Sequence, residues 1–273
     1  MRTKASFTKA EGALLATTAI LIGIAAAAPA VQAPPQAHAF ADQRSFFGIL
    51  YAADVLSNLA FGLAALAGFA MLWRVPAGTL GNVHRAMAVL FFGGLGLVAL
   101  GSASYHLDPS AITLAGQRSC IAVAFAGILG LAAAERVSER AGALLGLGLL
   151  ALGLLSVHAW TAHGNLLPWL VLQAGGVVML WWLAALRRRD GALGVDLVLI
   201  LVAYGAAKLL EINDAAIFDA TGRLVSGHAL SHVAAAFTVW PVLTALHAAG
   251  QRRREPRPLP IAPDVAIRWW RDA

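Results

Sequence analysis

Runs of roughly twenty or more apolar residues follow one another along this chain, at about 12–33, 46–73, 86–105, 117–134, 141–160, 168–186, 193–212 and 225–247. Each is long enough to cross a hydrocarbon core of about 30 Å as a helix. Inside lipid every backbone N–H and C=O must find its partner within the protein, so runs of this kind dictate α-helices. The expected fold is therefore all-α: a polytopic transmembrane helix bundle with a seven-helix core plus one N-terminal helix. Composition agrees, because 59% of the 273 residues are hydrophobic and only 12% are charged, against about 25% charged in soluble domains. The single cysteine, Cys120, excludes an intramolecular disulfide and any cysteine-based zinc site.

Three segments are expected: 1–39 as an N-terminal helix and connector, 40–250 as the seven-helix membrane domain, and 251–273 as a basic tail. The first run leaves two readings open. Arg2, Lys4 and Lys9 precede it, and small residues between 28 and 39 offer cleavage sites, as in a secretory signal peptide. Its length exceeds the usual apolar region of about 7–15 residues, which favours a retained helix. The tail is proline-rich and closes on a short amphipathic stretch with Ile267, Trp269 and Trp270.

The net charge of +6 does not indicate nucleic acid, because the basic residues sit in short clusters between apolar runs. With alternating spans, one side collects Arg2, Lys4, Lys9, Arg74, Arg85, Arg136, Arg140, Arg187, Arg188, Arg189 and the tail. The other side holds Arg44, Arg118 and Arg223. The positive-inside rule then places both termini in the cytoplasm.

The last run opens with Ser226-Gly227-His228-Ala229-Leu230-Ser231-His232. Two imidazoles four residues apart share one helix face, with Cβ atoms roughly 6 Å apart. Ionisable groups inside a bilayer need partners. Helix packing supplies one kind of partner; a divalent metal, for which histidine is the commonest ligand, supplies another. The charge-derived orientation brings other polar residues to the same level: Asp54, Ser57 and Asn58; Ser102 and His106; Gln117 and Arg118; Lys208, Glu211 and Asp214. A third imidazole, His106, thus stands at the depth of the pair. Three histidines and an open position is the arrangement of a catalytic zinc site. His158 and His163 flank a turn on the same side, whereas His84 and His247 fall on the opposite side. Lys208 and Glu211, at i, i+3, are expected to pair with each other.

Several short motifs together resemble the alkaline ceramidase branch of the CREST superfamily, in particular its bacterial ceramidase-like members. Ser102-Ala103-Ser104-Tyr105-His106 is similar to the family's Ser-x-x-x-His, and His228-Ala229-Leu230-Ser231-His232 to its His-x-x-x-His. Phe40-Ala41-Asp42-Gln43-Arg44, Asp54-Val55-Leu56-Ser57-Asn58-Leu59, Tyr105-His106-Leu107-Asp108-Pro109 and Ala207-Lys208-Leu209-Leu210-Glu211 also look similar. The resemblance spans about residues 40 to 240. It implies a bacterial inner-membrane hydrolase with Zn2+ on His106, His228 and His232, near the outer face. The implied substrate is a ceramide-like N-acyl lipid, cleaved at its amide by metal-activated water. Ser102 would steady the oxyanion, and Asp54, Ser57 and Asn58 would orient a ligand histidine.

One position departs from the family pattern. Where relatives carry an Asp-Arg pair, this chain has Gln117-Arg118. The family's Asp is implied to bind the zinc water and move its proton, and glutamine cannot take a proton. Asp108, or Asp54 reaching across, is the candidate substitute. The competing expectation is a non-catalytic receptor or lipid-binding protein with a structural metal. A third is ester cleavage, where the leaving group needs less help from a proton donor.

Overall fold

The computed structural model describes residues 6–33 and 39–252. Residues 34–38 of the expected connector and 253–273 of the tail, with its tryptophan pair, lie outside the described residues. The chain forms an all-α polytopic bundle: α1 (Lys9–Ala27), α2 (Ala52–Ser57), α3 (Leu59–Arg74), α4 (Asn82–Leu107), α5 (Ala111–Arg136), α6 (Glu139–His163), α7 (Leu167–Ala185), α8 (Leu197–Ile212), α9 (Asp214–Ala220), α10 (Gly227–Ala236) and α11 (Trp240–Arg252). Counting α2–α3 and α10–α11 as single passes, seven of these are long and apolar enough to cross a membrane.

Four departures from the expected runs have identifiable causes. Residues 46–51 are a tight turn rather than helix, with Phe47, Gly48 and Tyr51 at positive φ and a bridge between Phe46 and Ile49. The helix that follows breaks at Asn58, where the side chains of Ser57 and Asn58 both turn back to the carbonyl of Asp54. Helix α8 starts at Leu197 rather than 193 and has 16 residues, about 24 Å of helix, so it falls short of the length expected for that pass. The last run is divided by a 3-10 turn at Phe237–Val239, just ahead of Pro241, which has no N–H to continue the ladder.

The late start of α8 traces to Glu135. It lies between two apolar runs, in the charged stretch Glu135-Arg136-Val137-Ser138-Glu139-Arg140, yet it is fully buried at the end of α5. Its carboxylate accepts the backbone N–H groups of Leu193 (2.5 Å), Gly194 (2.8 Å) and Val195 (3.0 Å). The His84 ring lies 3.2 Å away. Gly194, in the middle of the three, sits at φ +101, outside helical geometry, and Asp196 then caps α8 by accepting from Val198 and Leu199.

Helices α4 and α5 form the centre. A Cβ on Gly94 would collide with the backbone of Ala124, and one on Gly127 with that of Phe91. Missing side chains at these two places let the helices approach closely, as small residues do in lipid. Helix α1 is tied at both ends. Near its start Glu11 accepts from Ser138 and Arg140; past its end Val31 exchanges bonds with Asn165 and Leu166. Successive passes alternate in direction, so the end of α4 and the starts of α2, α5 and α10 share one end of the bundle.

Candidate metal centre

Helix α10 begins where four contacts pin it. Ser226 caps it by accepting from Ala229, and its hydroxyl donates to Asp54 Oδ1 (3.2 Å). Gly227 lies so close to the α8–α9 corner that a Cβ there would meet Leu210 and Asp214. Asp214 accepts the His228 N–H at Oδ1 (2.8 Å) and the Ala41 N–H at Oδ2 (3.0 Å). One carboxylate thus anchors both the first turn of α10 and the segment that carries Phe40.

The last turn of α4 delivers His106 to the same place. Its ring centroid lies 4.9 Å from that of His228 and 5.2 Å from that of His232, and the latter two are 4.7 Å apart. Ligand-capable atoms of all three lie within 4.8 Å of one another. His106 and His232 are buried and His228 is half-buried. The Nε2 atoms of His106 and His228 are 3.2 Å apart. Ligand nitrogens held tetrahedrally at about 2.0–2.1 Å from zinc would stand about 3.3–3.4 Å apart, close to the spacing of this pair. Phe40 packs edge-on against both His106 and His228, at 4.7 and 5.4 Å between centroids.

The contacts of Ser57 favour one tautomer of His232. Its hydroxyl has one proton, which it gives to the Asp54 carbonyl (3.0 Å). Toward His232 Nδ1, 2.7 Å away, the oxygen is therefore an acceptor. Nδ1 then carries the ring proton, and Nε2 keeps its lone pair for a cation. Such a partner on the far nitrogen is the usual support of a metal-binding imidazole. Asp54 and Asn58 are fully buried beside it. Asp54 Oδ2, Asn58 Oδ1 and His106 Nδ1 have no hydrogen-bond partner among the described residues.

Ser102 is buried one turn before His106. Gln117, half-buried in the second turn of α5, donates from Nε2 to Ser102 Oγ (3.0 Å). Asp108 stands apart: it is exposed at the C-cap of α4, where its main-chain oxygen accepts from Thr113. His158 and His163 are exposed, and their rings face each other at 6.3 Å. Lys208 and Glu211 do pair, at 2.6 Å. Sequence reasoning brought Asp214 to this level without giving it a role, and it missed the position of Phe40 against the imidazoles. Asp214 had a signal, since an acid at the end of an apolar run needs a partner; Phe40 had none beyond its motif.

The fold and this cluster define a class: a polytopic α-helical membrane protein with a three-histidine candidate metal centre at one end. No protein-family model matches the chain, and no curated protein matches it.

Proposed function

We propose that this protein is a zinc-dependent intramembrane hydrolase that cleaves the amide bond of a ceramide-like N-acyl lipid. The observation that carries the metal part is the convergence of His106, His228 and His232 from helices far apart in sequence. The substrate class comes from the motif resemblance to the bacterial ceramidase-like branch. The charge bias supports an orientation with both termini cytoplasmic and the site toward the outer face.

His106 and His228 through Nε2, and His232 through the Nε2 that Ser57 leaves free, would hold the ion. When bound, zinc supplies Lewis-acid chemistry: a water pKa brought near about 7 and a polarised carbonyl. The chain's own residues do the rest. Ser102 accepts the Gln117 amide proton on its oxygen, so its own O–H remains to donate to the oxyanion that develops on the scissile carbonyl. Gln117 holds that hydroxyl but takes no proton. Asp54, buried with one oxygen unpartnered, is better placed than the exposed Asp108 to serve as the missing acid–base group. Phe40 over two of the imidazoles keeps that side of the cluster dry.

Gln117 favours one competing reading, a seven-helix receptor or lipid-binding protein with a structural metal. Purified protein incubated with labelled ceramide, with and without chelator and beside Gln117→Asp, separates the two. Chelator-sensitive release of fatty acid by the native protein supports hydrolysis. Release by Gln117→Asp alone supports the receptor reading, and release by neither form from any N-acyl or ester lipid ends the enzyme reading.

A further inference from the structure

Arg118 lies in the second turn of α5, beside Gln117, within a segment apolar enough to span a membrane. Its guanidinium carbon is 4.1 Å from the ring centre of Trp160 and 5.8 Å from that of Trp169. Nη1 is buried and has no hydrogen-bond partner among the described residues. None of the ion pairs among the described residues includes Arg118, whereas Arg44, Arg140, Arg189 and Arg223 all have acidic partners. Cation–π contact steadies a guanidinium but does not neutralise it, and an unneutralised charge at membrane depth is costly. The two indole rings flank the guanidinium and leave Nη1 without a partner among the described residues, and a guanidinium is suited to an oxyanion.

The surroundings indicate what carries that oxyanion. Trp160 packs against the buried group of Phe40, Tyr105 and Leu114, and Phe40 in turn covers His106 and His228. An anion at Arg118 would therefore sit across one aromatic group from the imidazoles, at the same end of the bundle, where amphiphile headgroups meet the protein. We propose that Arg118 is an anion-binding site for the carboxylate or phosphate of a lipid amphiphile. This stands whether or not the imidazoles hold an ion or hydrolyse anything.

The test is native mass spectrometry of the full-length protein in a neutral detergent, titrated with oleate, dioleoylphosphatidylglycerol, oleyl alcohol and inorganic phosphate. The expected result is one saturable adduct with an anionic amphiphile, bound about tenfold or more tighter than oleyl alcohol. R118Q should abolish that preference, and R118K, which keeps the charge without the planar fork, should weaken it. Preference for oleate alone marks a free fatty acid as the ligand; preference for the phospholipid marks a headgroup. Equal affinity of the wild type for oleate and oleyl alcohol overturns the proposal, and so does R118Q binding oleate as the wild type does. Phosphate binding without preference for either lipid overturns the lipid assignment. The wild-type comparison needs no variant, so a misfolded R118Q does not remove the test.

Discussion

Ser57→Ala isolates the support of the candidate metal centre from the imidazoles that form it. The hydroxyl receives the Nδ1 proton of His232 at 2.7 Å and passes its own to the Asp54 carbonyl at 3.0 Å. Alanine removes both bonds and touches no ligand atom. His232 is then free to rotate or to move its proton to Nε2, which would block the lone pair. Loss of such a partner lowers metal affinity about 10–100-fold, equivalent to about 1.4–2.7 kcal/mol. Folding should lose about 1 kcal/mol, the net worth of one hydrogen bond. The assay is a zinc titration of chelator-stripped protein against a chromophoric competitor, with helix content followed by circular dichroism. His232→Ala serves as the reference for complete loss of a ligand. Wild-type zinc affinity in Ser57→Ala, alongside loss in His232→Ala, would refute the tautomer argument. Loss of fold in Ser57→Ala would mean that the serine serves the helix break rather than the imidazole.

Glu135→Ala leaves three backbone donors without an acceptor, at about 1–3 kcal/mol each. It should destabilise the bundle by at least about 3 kcal/mol in detergent unfolding curves, while zinc affinity at the other end stays unchanged. Asp42, held by the Arg44 guanidinium below the usual carboxylate range, contributes stability above its unfolded value of about 3.9. That contribution should fade as pH falls through the lowered folded value, and Asp42→Asn should flatten this part of an acid-unfolding profile. Gly127→Ala, whose Cβ would strike the Phe91 backbone, should abolish stable folding; Gly148→Ala, with open space around it, should leave the unfolding midpoint unchanged.

The apolar runs made the bundle legible, because length and composition alone decide whether a segment can satisfy its backbone in lipid. The histidine cluster was legible for a second reason. His228 and His232 share a face by helical period, and alternating topology brings His106 to their level. What stayed hidden depends on single side chains reaching across the fold. Nothing local distinguishes Glu135 from Glu139 four positions later, yet the first is buried under three amides and the second is half-buried. The turn at 46–51 reads as apolar helix until its positive-φ residues are seen. Asp108 looked equivalent to Asp54 as a candidate acid, and only the packing of α2 against α10 separates the buried carboxylate from the exposed one.

His106 and His228 are 122 positions apart, with α5 to α9 between them. A nascent chain therefore has no complete cluster until its final helices leave the ribosome and dock against those made first. Any cation held there would act as a clasp between early and late segments, and would load only after the rest of the bundle had been assembled.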